Sequence, residues 1–187
     1  MNLPNTLTLL RIAMIPVFVV IYCLSFKWSN LTACLIFSLA ALTDLLDGYL
    51  ARKLNQISTL GAFLDPVADK LMVAVVLVLL VQQDPRIFIA IAAAVIIGRE
   101  ITISALREWM AELGARSKVA VSIFGKIKTV TQMVSLILLI YKNPLFGIPV
   151  YEIGLVLLYI AVFLTLWSMS VYLYHAWPKF SESLNNQ

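Results

Sequence analysis

Between residues 44 and 69 the chain reads DLLDGYLARKLNQISTLGAFLDPVAD, which sets four aspartates, two glycines and an arginine in an otherwise largely apolar protein. Asp44 and Asp47 are three residues apart, and Asp65 and Asp69 are four apart. On helices each pair would lie on one face. Gly48 and Ala51 continue the face of Asp44 and Asp47, and Gly61 precedes Asp65 by one turn. Two neighbouring helices with these faces opposed would make a four-carboxylate cup with little side-chain bulk around it. Four carboxylates cannot all stay ionised in low dielectric without compensation. Bound divalent cations are the simplest remedy, because carboxylate oxygen suits hard ions such as Mg²⁺ or Mn²⁺. The plainer alternative is a polar loop with solvated acids, but loop acids have no reason to keep helical spacing on both sides.

The elements that must position these acids are membrane helices. Of 187 residues, 61% are hydrophobic and 13% are charged, against about 25% charged in a soluble domain. Mean hydropathy is +0.94. Six apolar segments, roughly 6–26, 31–52, 60–82, 86–106, 119–141 and 150–174, are each long enough to cross about 30 Å of hydrocarbon. The expected fold is therefore an all-α integral membrane protein of six transmembrane helices, one domain over 1–187. The amino terminus reads as a retained first span, with no basic residue before Arg11. Cys23 and Cys34 lie within apolar runs and read as packing residues. Six spans put both termini on one side, and 11 of the 14 Lys and Arg residues fall there. The positive-inside rule makes that side the cytoplasm. Arg52 and Lys53 mark the cytoplasmic exit of the second span. Asp44 lies eight residues back, about 12 Å deeper, so the polar cavity is expected to open to the cytoplasm from within the inner leaflet. Such a depth suits a reaction between a lipid and a water-soluble molecule. Pro66, directly after Asp65, is expected to bend the third span or to mark its first turn.

The acidic stretch has the spacing D-x2-D-G-x2-A-R-x8-G-x3-D-x3-D, filled by Asp44, Asp47, Gly48, Ala51, Arg52, Gly61, Asp65 and Asp69. It resembles the signature of the CDP-alcohol phosphotransferases, with no position departing from it. The stretches PNTLTLLR, GREITISALREWMAELG and SKVAVSIFGKIKT look like those of the bacterial phosphatidylglycerophosphate synthase branch. The resemblance covers most of the first 130 residues, and LTLWSM is the main match beyond them. It implies an enzyme of the bacterial inner membrane that moves a phosphatidyl group from CDP-diacylglycerol to an alcohol and releases CMP. It also implies a homodimer. By the same resemblance Asp44, Asp47 and Asp65 are metal ligands, and Asp69 belongs to the second of two Mg²⁺ or Mn²⁺ ions. Asp69 is also the implied general base for the acceptor hydroxyl. Gly48, Ala51 and Gly61 would let the cytidine and diphosphate approach the backbone, with Arg52 donating to the nucleotide phosphate.

Further polar residues frame this reading. Asn5, Thr8 and Arg11 are spaced by three and form a ridge leading into the membrane. They are either an interfacial first turn, with Asn5 capping and Arg11 snorkelling, or a wall of the same cavity that binds the CDP-lipid. Arg99 follows the apolar run IAAAVIIG and needs an acidic partner; Glu100, one residue away, is expected to point elsewhere. Arg99 and Arg107 share one side of a helix, and Lys126 and Lys128 re-enter the membrane on the fifth span. Together these four suit an acceptor phosphate, although screening by headgroup phosphates is the simpler role. Glu108, Glu112 and Arg116 step by four and read as a solvated face. Lys70 either orients a phosphate or pairs with an acid. Inositol, serine, choline and plain glycerol need no such cations; glycerol 3-phosphate does, and is the expected acceptor. Within the family, a cardiolipin synthase or a phosphatidylinositol phosphate synthase would keep the signature and change this pocket. A cation transporter would place its acids near the midplane and show two related halves, which this chain does not.

Overall fold

The computed structural model describes residues 3–24, 26–53, 59–112 and 123–185. Within them, the side chains of 3–5, 45–53, 59–60, 62–63, 107, 111–112, 123–126, 172 and 175–185 lie outside the description. Among the described residues there are six helices and no strand. They are α1 (Leu3–Cys23), α2 (Ser29–Lys53), α3 (Thr59–Gln83), α4 (Ile87–Glu112), α5 (Ile123–Tyr141) and α6 (Val150–Asn185). The protein is an all-α membrane protein. Three stretches, Thr6–Cys23, Ile87–Met110 and Val150–Val171, are long and apolar enough to cross a membrane by themselves, and Ser29–Asp44 and Ile127–Tyr141 are shorter apolar runs. Large apolar side chains face outwards along the helices, among them Val78, Phe88, Ile101, Val130 and Phe163. A helix that is apolar on its outer as well as its inner side is matched to lipid rather than to water. α4 and α6 both outrun the expected segments, and the 36 residues of α6 would extend about 54 Å. Pro66 lies inside α3, not at its start.

The helices form a closed ring in the order α1, α2, α5, α6, α4, α3, with α3 also touching α2 and α5 across the middle. The ring encloses Phe18, Phe37, Leu77, Ile96, Leu136, Ile140 and Leu158, all buried. Phe18 stacks on Tyr22, ring centroids 5.5 Å apart. This arrangement brings the aspartate-bearing α2 and α3 together with α1, and places α4, α5 and α6 on the remaining arc.

The α5–α6 pair is the most extensive and depends on a close approach at Gly154. A Cβ there would meet Leu139 Cγ at 3.0 Å and Leu138 Cβ at 3.2 Å. Ser135 Oγ donates to Gly154 O at 2.8 Å across the same contact. The turn between these helices reverses at Phe146 and Gly147, with φ of 50° and 80°. Leu145 and Ile148 exchange backbone hydrogen bonds across it. Positive φ at both central residues is the geometry of a type I′ turn, which glycine adopts without strain.

At the same end of the molecule Asp84 ties the α3–α4 turn to α6. Arg86 Nη2 donates to Asp84 Oδ2 at 2.5 Å, Tyr151 Oη donates to the same oxygen at 2.5 Å, and the guanidinium lies over the tyrosine ring. These partners, Arg86 foremost, hold the Asp84 carboxyl down to about 2.

Two predictions follow from this packing. Gly154→Val should overpack the α5–α6 contact and destabilise the protein by about 1–3 kcal/mol. Gly98→Ala, where nothing lies within 4 Å of the added carbon, should be neutral or stabilising by up to ~1 kcal/mol. Thermal unfolding in detergent reads both, and an unaffected Gly154→Val would refute the close approach. The folded Asp84 carboxyl titrates below its unfolded value near 4. Its contribution is therefore complete above that value and is lost as pH falls towards 2. Wild type should lose melting temperature over this window more steeply than Asp84→Asn; parallel curves would contradict the assignment.

Candidate active site

α1 brings the first part of the site together. Thr8 and Arg11 lie three residues apart, on one side of the helix, and both are buried. Thr8 Oγ1 donates to Asp65 Oδ1 at 2.5 Å. Arg11 Nη1 donates to Asp44 Oδ1 at 2.9 Å and also to Asp69 Oδ1. One guanidinium nitrogen on α1 thus joins a carboxylate of α2 to a carboxylate of α3. The arginine side chain is 1% exposed, whereas Asp44 and Asp69 each keep 35%. The acids form the accessible lip and the cation sits behind them. A cavity of about 20 Å³, lined by Arg11, Asp44, Asp69, Phe37 and Met72 among others, lies against this bridge. Gly61 is buried within α3.

Of the residues expected in the cup, the structure brings Asp44, Asp65 and Asp69 onto the Thr8–Arg11 ridge. Asp47, Gly48, Ala51 and Arg52 belong to α2 and Asn5 to α1, but their side chains lie outside the described residues. Among the described residues, no three acidic, histidine or cysteine side chains are grouped as a metal site. The donor set nevertheless fits a hard divalent cation, because it offers only oxygen ligands. Arg11 supplies a counter-charge to two of these carboxylates. Thr8 and Arg11 therefore face the acids, and Arg11 does not snorkel to the headgroups, because its guanidinium points to Asp44 and Asp69.

A second charged cluster lies on the other arc of the ring. Glu100 Oε1 accepts from Arg99 Nη1 at 2.7 Å and from Lys128 Nζ at 2.8 Å. Lys128 is buried, and Arg99 Nη2 reaches Ser168 Oγ at 3.5 Å. The expectation that Glu100 points away from Arg99 is corrected. Neighbours on a helix diverge by about 100°, but two long side chains can curl to meet, and Lys128 on α5 holds the carboxylate where they do. Arg107 lies on α4 and Lys126 on α5, with side chains outside the described residues. Arg116, expected on a solvated face, also lies outside them.

Lys70, the residue after Asp69, donates to Ser104 of α4. Lys70 and Glu100 line one groove of about 270 Å³ between α3 and α4, otherwise walled by apolar residues such as Val67, Ala74, Ile97 and Ile101. The groove links the aspartate helix to the second cluster. Sequence reasoning quoted the stretches that hold Ser104, Thr165 and Ser168 but gave none of the three a role. Thr165 and Ser168 carry a usable signal, as polar residues three apart inside an apolar run.

Comparison with known proteins agrees with this architecture. Residues 1–167 match the family model for CDP-alcohol phosphatidyltransferase. A Pseudomonas fluorescens protein named CDP-diacylglycerol–glycerol-3-phosphate 3-phosphatidyltransferase is 52% identical over 179 residues, covering 95% of this chain and 91% of the relative. Proteins of the same name from Sodalis glossinidius and Salmonella typhimurium are 53% and 51% identical. They cover 94% and 92% of this chain, and 95% and 93% of their own lengths. With its signature filled at every position and this match over most of its length, the chain belongs to the CDP-alcohol phosphatidyltransferase family.

Proposed function

We propose that this protein transfers the phosphatidyl group of CDP-diacylglycerol to glycerol 3-phosphate, giving phosphatidylglycerophosphate and CMP. The observation that carries the reading is the pairing of two charged clusters in one ring of helices. One is an acidic lip built on Arg11; the other holds Arg99 and Lys128 around one carboxylate. An anionic diphosphate and an anionic acceptor both need cationic surroundings, and their charges must be kept apart until the reacting atoms meet. The names of the relatives at 51–53% identity support the same substrates.

Asp44, Asp47, Asp65 and Asp69 would hold the metal, Mg²⁺ or Mn²⁺ and two ions in our reading. Held there, the metal would supply charge to neutralise the diphosphate, polarise the phosphorus and stabilise departing CMP. The chain's own residues do the rest. Arg11 and Thr8 fix the orientation of Asp44, Asp69 and Asp65. Asp69 takes the proton from the acceptor hydroxyl as its oxygen bonds to the phosphorus carrying the diacylglyceryl group. The bond from that phosphorus to CMP breaks, and the electron pair leaves with CMP. Gly48, Ala51 and Gly61 leave room for the nucleotide beside the backbone, and Asn5 and Arg52 donate to it. Arg99, Arg107, Lys126 and Lys128 receive the acceptor's phosphate. The apolar wall of the α3–α4 groove keeps water from competing with the acceptor. We place the protein in the bacterial inner membrane as a homodimer, with both termini and the site towards the cytoplasm. The distribution of Lys and Arg supports that orientation.

Purified protein given CDP-diacylglycerol, Mg²⁺ and labelled glycerol 3-phosphate should place label in lipid with stoichiometric CMP release, and a chelator should stop both. CMP release with phosphatidylglycerol or inositol phosphate, and none with glycerol 3-phosphate, would overturn the acceptor. Asp69→Asn should lower turnover by about 10²–10⁴-fold while CDP-lipid binding persists. Turnover near wild type, or loss of binding together with turnover, would contradict the base assignment.

A further inference from the structure

Two buried polar atoms, one in the second cluster and one beside it on α6, have no partner among the described residues. Arg99 Nη1 is engaged by Glu100 at 2.7 Å. Nη2 has only the long 3.5 Å contact to Ser168 Oγ. Nε is buried with no hydrogen-bond partner among the described residues. Nε and Nη2 form one edge of the planar guanidinium, a fork that matches two oxygens of a phosphate. The edge left over by Glu100 is thus the one suited to bidentate anion binding. The second atom is Thr165 Oγ1. Thr165 is 0% exposed and its hydroxyl also lacks a partner among the described residues. A threonine within a helix commonly bonds a carbonyl one turn back; this one does not. Ser168 lies three residues on, on the same side of α6. Its hydroxyl donates to Thr165 O at 3.0 Å, a bond within its own helix from which its single proton can turn to a phosphate oxygen beside Arg99.

Buried polar groups are normally satisfied, and those that are not call for a ligand, water or ion. Here both unsatisfied atoms can donate, and one belongs to a permanently charged group. Glu100 is already shared between two cations, so it cannot serve the free edge as well. A doubly charged phosphate monoester supplies the acceptor oxygens and the negative charge that this side of Arg99 lacks.

We infer that the Nε/Nη2 edge of Arg99, with the hydroxyls of Thr165 and Ser168, forms the binding site for the phosphate of the acceptor. Glu100 is a positioning residue that fixes the Nη1 side of the guanidinium and holds Lys128 beside it. This deepens the proposed transfer to glycerol 3-phosphate and rests on it. It adds α6, whose role in the site is otherwise only to pack, to the elements that select a phosphorylated acceptor. The phosphate sits on the arc of α4 and α6, away from the carboxylates of α2 and α3, so that only the acceptor's hydroxyl end needs to approach them.

The test is steady-state kinetics of Thr165→Val, Ser168→Ala and Thr165→Ser, varying each substrate in turn. Thr165→Val and Ser168→Ala should each raise KM for glycerol 3-phosphate about tenfold. That corresponds to about 1.4 kcal/mol, the size of one hydrogen bond to a charged group. kcat and KM for CDP-diacylglycerol should stay within about twofold, and Thr165→Ser should recover wild-type values. Inorganic phosphate should compete with glycerol 3-phosphate in wild type and less well in the two hydroxyl-deleted variants. Ser168→Ala removes a single oxygen and reads the site even where Thr165→Val impairs folding. Unchanged KM values in an active wild-type background, or equal rises for both substrates, would overturn this site alone. A wild type that transfers nothing to glycerol 3-phosphate would overturn the proposed function together with it.

Discussion

The structure depends on one buried contact, the guanidinium of Arg11 held between the carboxylates of Asp44 and Asp69. Charges inside a membrane protein are expensive, and removing one partner of a buried pair typically costs about 3–5 kcal/mol, because the other is left uncompensated. Arg11 makes it possible for two acids on different helices to face each other. It also sets the geometry of the first three helices, since a single nitrogen must reach both α2 and α3. Thr8, one turn earlier, bonds Asp65 and so fixes a third acid from the same ridge. The amino-terminal helix is thus the template on which the acidic lip is assembled.

The ring order gives the rest its logic. α1, α2 and α3 carry the acids and their counter-charge, while α4, α5 and α6 carry Glu100 with Arg99, Lys128 and Ser168. Both clusters use one side chain as a hub: a cation shared by two acids in the first, an acid shared by two cations in the second. In the proposed reading the first adds metal ions beside its fixed cation, and the second adds an anion at the edge its acid leaves open. Such an arrangement leaves the first half with an excess of negative charge and the second with an excess of positive charge, so each has capacity for a ligand of opposite sign. The groove between α3 and α4, with Lys70 and Glu100 in its wall, is where the halves meet.

Much of this was legible in the sequence, for physical reasons. Paired acids at helical spacing can only belong to helices, and apolar runs of about 20 residues are what a bilayer requires. The ridge spaced by three was read as an interfacial turn or as a wall of the same cavity that binds the CDP-lipid, and its pairing with the acids was not foreseen, because spacing states which residues share a face and not what that face meets. The position of Pro66 inside α3 was equally open, since proline is compatible with a helix start or a bend. The Glu100 contact was misread because sequence separation fixes the direction of Cβ and says little about where a long side chain ends. Thr165 and Ser168 lie in the LTLWSM stretch but drew no role of their own, since a hydroxyl in a membrane helix usually bonds its own backbone; the missing partner of Thr165 sets it apart.

The central claim is that Arg11 is the built-in counter-charge of acids that otherwise need a divalent cation. Thermal unfolding of Arg11→Met beside wild type, in chelator and in excess Mg²⁺, tests it most directly. The account predicts that the variant loses several degrees or fails to fold in chelator. Mg²⁺ should restore most of that loss, with a larger Mg²⁺ effect than in wild type. A variant as stable as wild type in chelator, or a loss of the same size in both conditions, would contradict it.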